Sequence, residues 1–212
     1  MTDIAHHIPE ALLASYVSGT LAHPFALVVA AHVSICEECR ANLAAHEAVG
    51  GALLDDFDPI AISGDLRNRV MAGLDDDGMP EPVRPRGDAT YPTPVLEALG
   101  GKAPRWRSLG PGAKQCILEA NKTGSVRLLH IAPGYAVPDH THGGLELTLV
   151  LQGAFHDATG RFGRGDLEVA DDDLEHTPIA DSGLPCICLA ATDAPLKFSS
   201  FVPRLLQPLF RI

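Results

Sequence analysis

Basic residues are nearly missing from the first part of this chain. Positions 1–80 hold 12 Asp and Glu against 3 Lys and Arg, whereas positions 81–212 hold 15 against 13. Without cations to neutralise phosphates, the first part is excluded as a direct binder of DNA or RNA. Its charge favours a basic protein partner, although acidity alone also serves solubility. Long apolar runs are missing too. The most apolar stretch, residues 25–36, is interrupted by His32 and is far short of the ~20 residues needed to span a bilayer. No membrane association is therefore expected. Residues 1–10 hold no Lys or Arg and no apolar core, so they do not read as a secretory signal, and a cytoplasmic location is expected. Cysteines are few and odd in number: Cys36, Cys39, Cys116, Cys186 and Cys188. That excludes a disulfide framework and fits thiolate–metal chemistry in a reducing compartment. No phosphate-binding glycine loop, Ser–His–Asp arrangement or basic aromatic stripe is present.

What remains is enough for two folding units: 212 residues, of which 46% are hydrophobic, against roughly 100–200 residues per domain. Three helices are predicted in the first third. Pro9 and Glu10 open the first, Leu12, Leu13, Tyr16 and Val17 recur at helical spacing, and Gly19 ends it. A second, long helix is predicted from near Pro24 past Ala45, with Gly50-Gly51 as its stop. A third follows Ser63 as N-cap, with Leu66, Val70 and Leu74 along one face. Prolines at 80, 82, 85, 92 and 94 then mark an extended segment, read as a linker, although an ordered arm lying on a neighbouring domain fits the composition equally. After Trp106, short apolar runs separated by Gly and Pro predict strands over residues 114–118, 126–131, 145–151, 186–190 and 198–202, hence a sandwich or barrel. The expected organisation is an α + β multidomain chain: a small helical domain over 1–77, a Pro-rich linker over 78–98 and a β-barrel domain over 99–212.

Two constellations carry chemistry. His32, Cys36 and Cys39 form an H-x3-C-x2-C pattern. On one continuous helix, steps of four and seven return all three to one face. Cys and neutral His are preferred zinc donors, and a structural zinc takes four in a tetrahedron. His6 and His7, just before the first helix, are both placed to supply the fourth. The plainer reading makes Cys36 and Cys39 small core residues. A redox C-x-x-C pair would need a βαβ setting that is missing here. In the second constellation, His140 and His142 are two apart, so in a strand they share a face. Glu146 opens the next apolar run. Two imidazoles and a carboxylate converging inside a small barrel make a divalent-metal site, which the later His176 would complete. Cys186 and Cys188 alternate onto one strand face, where such cysteines are most often small core residues.

The first pattern, with Ala11-Leu12-Leu13 and Tyr16-x-x-Gly19-Thr20-Leu21, resembles the zinc-binding anti-sigma domain over residues 4–74. The resemblance implies His7, His32, Cys36 and Cys39 as ligands of a structural Zn2+. It also implies an extracytoplasmic-function sigma factor as partner, held away from core RNA polymerase. The second pattern matches the first cupin motif, G-x5-H-x-H-x3-E-x6-G, at Gly134, His140, His142, Glu146 and Gly153. Gly165 and His176 keep part of the second motif, whereas Asp171, Asp173 and Ala180 depart from it. This implies a cupin (double-stranded β-helix, or jelly-roll) barrel holding Zn2+ or another divalent metal through His140, His142, Glu146 and His176. Together with residues 144–155, 175–178 and 186–195, nearly the whole chain, the linker least of all, resembles ChrR-type anti-sigma factors of the singlet-oxygen response. The implied protein is a regulator without catalytic activity, whose barrel is needed for release of sigma on stress. The alternative is a metal-dependent cupin enzyme, dioxygenase-like, with a helical regulatory module.

Overall fold

The computed structural model describes residues 4–74, 87, 89–138, 140–141, 143–171, 175–194 and 197–198, with only the backbone of His140, Glu175, Lys197 and Phe198. The 75–86 part of the proline-rich segment, Asp88, His142, Asp173 and the strand expected beyond Phe198 lie outside the described residues.

The helical third begins with α1 (Glu10–Val17), which follows Pro9 and ends before Gly19 at φ 69°. The long second helix is a correction: it is two helices, α2 (His23–Ile35) and α3 (Glu37–Asp55), broken at Cys36. Cys36 is extended (φ −102°, ψ 115°), and its sulfur accepts the Cys39 N–H at 3.5 Å. The thiol thus takes the place that a Ser or Asp oxygen takes at a helix start, and Glu37 and Glu38 in the first turn favour the positive end of a new helix dipole. Nor does Gly50-Gly51 stop α3, which runs to Asp55. Each glycine costs about 1 kcal/mol in a helix interior, but no proline follows, and Ala52, Leu53 and Leu54 are strong helix formers. Ser63 caps α4 (Gly64–Gly73), its Oγ accepting the Leu66 N–H at 3.1 Å. Thr93–Ala98, inside the segment expected to be a linker, is a helix, α5. Prolines 92 and 94 stand at its start, where a fixed φ and a missing N–H cost nothing. Val95 is fully buried, and α5 packs against α2.

The strands form one large and two small sheets. The large sheet has the order β1 (Arg107–Gly110), β2 (Ala113–Asn121), β3 (Gly124–Ile131), β11 (Cys186–Thr192), β5 (Glu146–Gln152), β8 (Leu167–Ala170). Facing it is a sheet of β10 (Ile179–Ala180), β6 (Ala154–His156) and β7 (Arg161–Gly163). Beside them lies one of β12 (Lys197–Phe198), β4 (His140–Thr141) and β9 (Glu175–His176). All pairings are antiparallel, with β11 central between β3 and β5. This is the expected jelly-roll. Gly153, the last glycine of the motif, turns the chain between β5 and β6 at φ 71°. A Cβ there would sit 2.7 Å from the Pro185 carbonyl oxygen, so only glycine fits.

Successive residues of a strand face opposite sides. Val150, Cys186 and Cys188 point into the barrel with Phe155 and Phe162. Leu147, Leu149 and Leu151 point outward, yet they are at most 1% exposed. Their cover is α2, whose Phe25, Val28 and Val29 share one continuous core with Val126, Leu128 and Leu189. A sheet covered on both faces reads as unbroken apolar runs, which is why residues 186–190 show no alternation. Among the described residues, no helix is long and apolar enough to cross a membrane.

Candidate metal centres

The helix break at Cys36 shapes the first centre. His32 comes from the last turn of α2, Cys36 from the junction, Cys39 from the first turn of α3, and His7 from the extended strap ahead of α1. One donor atom from each lies within 4.8 Å of the others. His32 Nε2 is 3.2 Å from Cys39 Sγ, and His7 Nδ1 is 3.4 Å from Cys36 Sγ and 3.7 Å from Cys39 Sγ. These separations match ligands sharing one four-coordinate ion, at bonds of about 2.0–2.3 Å. Cys39 is fully buried, and its sulfur also accepts the Ile8 N–H at 3.4 Å. Between the two candidate histidines the strap decides: His7 enters the cluster, while His6 turns toward Phe162, at 4.4 Å between ring centroids, and Asp166. The far nitrogen of His7 lies 3.3 Å from Glu38, the carboxylate contact that fixes the tautomer of a ligating imidazole.

The electrostatics suit a bound cation. Burial, helped by neighbouring His7, drops the His32 pKa to about 4, so its ring is neutral and its lone pair free at physiological pH. Burial raises the Cys39 thiol to about 11; a bound ion would take the place of that proton. His32 Nδ1 is buried without an aligned hydrogen bond. The donor set and the distances suit a metal ion.

The second centre is built differently. β4 and β9 place His140 directly opposite His176 in register. Glu146 begins β5 on the barrel-interior face, half-buried, accepting a hydrogen bond from Thr148 Oγ1 at 3.1 Å. His176 is 4% exposed. Its Nδ1 donates to Asp157 Oδ2 at 2.6 Å and lies 3.3 Å from Glu168 Oε1. Burial alone would lower the His176 pKa, but Glu168 and Asp157 raise it to about 9. Asp157 is pushed upward by burial and nevertheless falls to about 2, because Thr159 and His176 donate hydrogen bonds to it. Burial raises the Glu168 carboxyl. Asp157, Glu168 and His176 form a second group able to hold an ion. A buried Arg127 adds to this interior, its guanidinium donating to Gln115 at 3.0 Å and Ser125 at 2.7 Å.

Sequence reasoning missed Asp157, Glu168 and Arg127. The turn at Asp157, with its Oδ1 accepting the Thr159 N–H at 2.8 Å, has the Asp-x-Thr-Gly composition of a side-chain-capped turn. Glu168 carries no such mark, since an acid at alternate spacing in a strand reads as solvated. Cys186 and Cys188 hold their sulfurs 3.5 Å apart, both buried. The contact with Cys186 and then burial push the Cys188 thiol well up, which makes it a poor nucleophile.

A helical module centred on a thiol–imidazole cluster able to hold a metal ion, packed on a jelly-roll with a histidine–carboxylate interior, defines a two-part protein with a cupin-like barrel. Residues 100–194 match the family model described as the ChrR cupin-like domain. The chain is 54% identical, over 99% of its own length and 99% of the relative's, to the anti-sigma-E factor ChrR of Cereibacter sphaeroides. It therefore belongs to the ChrR family of anti-sigma factors. A crystal structure of Rhodobacter sphaeroides SigE in complex with the anti-sigma ChrR matches with a TM-score of 0.79 at 51% identity, covering 90% of this chain and 100% of that one.

Proposed function

We propose that this chain holds an extracytoplasmic-function sigma factor inactive by binding it through the helical domain, residues 1–77, in the cytoplasm. The ion of the first centre is Zn2+, held by His7, His32, Cys36 and Cys39. It is structural: it ties the strap to α2 and α3 in a domain too small to rely on its core alone. The barrel domain, residues 99–212, holds Zn2+ or another divalent ion through His140, His142, Glu146 and His176, serves as a sensor rather than an enzyme, and is needed for release of sigma on oxidative stress such as singlet oxygen.

The observation that carries the reading is an uncovered apolar surface. From the end of α3 through α4, Leu54, Phe57, Ile60, Val70 and Leu74 are 58–89% exposed, while α2 is packed onto the barrel. Contiguous exposed apolar side chains of this size mark an interaction site. The acidic balance of residues 1–80 suits the basic surfaces a sigma factor uses for DNA. The relative crystallised with SigE supports the same assignment. Isothermal titration of the zinc-loaded full chain with the sigma factor from the same genome tests it. Phe57→Asp with Leu54→Asp is expected to weaken binding at least 100-fold. Unchanged affinity after His32 and Cys36 are both replaced by Ala would sink the role given to the first ion.

A further inference from the structure

The strap that delivers His7 to the first centre is held at its other end by the barrel. Asp166, in the β7–β8 turn, accepts the backbone N–H of Ala5 at 2.7 Å and of His6 at 2.9 Å with one oxygen, and that of Gly163 at 2.7 Å with the other. The Leu167 N–H donates back to the His6 carbonyl at 3.1 Å. Ile4 lies over Gly165, where φ is 96° and a Cβ would fall 2.6 Å from Ile4 Cδ1. Over four successive residues the strap therefore alternates its allegiance: Ala5 and His6 bond to the barrel, His7 and Ile8 to the sulfurs of Cys36 and Cys39.

The same turn reaches the centre a second time. His32 Nδ1 is buried facing the Gly165 backbone of that turn. A ligating imidazole needs an acceptor for its second ring N–H to fix tautomer and orientation, and the barrel supplies the polar groups on that side. The turn itself is rigid: Val150 of β5 bonds both ways, its N–H to the Asp166 carbonyl at 3.0 Å and its carbonyl from the Gly165 N–H at 2.8 Å. Two residues beyond Asp166, Glu168 enters the barrel interior beside His176.

We propose that Asp166 is a positioning residue for the metal centre of the other domain, and that residues 163–167 form a clasp through which the barrel sets how firmly His7 is held. This rests on the reading above only for its consequence, the route by which a barrel event loosens the sigma-binding domain. The clasp itself is measurable on the chain alone.

The experiment uses the full chain loaded with Co2+, whose thiolate charge-transfer band reports the first centre alone. Transfer of that ion to a chelator is followed alongside amide hydrogen exchange. For Asp166→Ala, Ala5 and His6 amides are expected to exchange at least tenfold faster and the thiolate band to decay several-fold faster, with β3 and β11 amides as protected as before. Asp166→Asn, which keeps one oxygen for the strap but loses the acceptor for Gly163, should fall between. If the Ala variant also deprotects β3 and β11, the Asn variant decides by the same two readouts. Unchanged exchange at Ala5 and His6, or faster exchange with an unaltered rate of metal transfer, would overturn the proposal. Neither readout involves sigma, so failure of sigma binding leaves this test intact.

Discussion

His32 and His176 are both buried histidines beside groups able to hold an ion, yet burial keeps the first neutral down to about pH 4, whereas Glu168 and Asp157 keep the second charged up to about pH 9. The difference lies in their companions. Around His32 stand two thiols and a second imidazole, a set of donors that suits a cation. Around His176 stand two carboxylates, so the imidazolium itself serves as the cation. The helical cluster thus gains from a bound cation, whereas the described part of the barrel interior is charge-compensated without one.

The comparison can be broken most forcefully at Cys36. Cys36→Ala should release one equivalent of metal and loosen α1–α3, given the roughly 10–16 kcal/mol that a structural zinc contributes in small domains. Metal analysis and amide exchange check this; retention of α1 protection without metal would contradict the contrast. Next in size is Asp157→Asn. Removing an ionised partner from a buried pair costs about 3–5 kcal/mol, read as a fall in urea stability, while Glu168→Gln, replacing a carboxyl that burial drives toward its neutral form, should cost under about 1.5 kcal/mol. A pH series on the metal-free chain sharpens the contrast further. The His176 contribution is full below 6.5 and is lost as pH rises to about 9; the Asp157 contribution is full above 3.8 and is lost as pH falls to about 2. Stability from this pair should therefore plateau between pH 3.8 and 6.5, and Asp157→Asn should reduce its alkaline decline, with the larger part due to Glu168 left in place. The smallest effect is Ser63→Ala, about 1 kcal/mol confined to α4, visible as faster exchange of the Leu66 amide.

The soft centre was far more legible in the sequence than the hard one. Cys and His are rare enough that their spacing at 32, 36 and 39 speaks for itself, and Ser63 announced its helix by the same logic of residue type and position. The break at Cys36 escaped because a sulfur acting as helix cap has no compositional mark, and α5 because its prolines, read as breakers, stand at a helix start. The barrel strands were visible where leucines cluster and invisible in β6 and β7, whose three residues each are too short for a pattern. Asp157 and Glu168 were hidden because only the folded chain shows which acids are buried. Between His6 and His7 nothing local decides; the partner that captures the His6 backbone, Asp166, is 160 residues away.

The cover of α2 has a consequence for how the protein is made. Its apolar stripe rests on β11 and β5, and β11 follows α2 by about 150 residues of chain. At about 5–20 residues per second, the ribosome delivers that helix on the order of ten seconds before its resting place exists. During synthesis the helical domain is thus an exposed apolar surface in search of shelter, and completion of the last central strand is the event that turns a nascent hazard into a finished molecule.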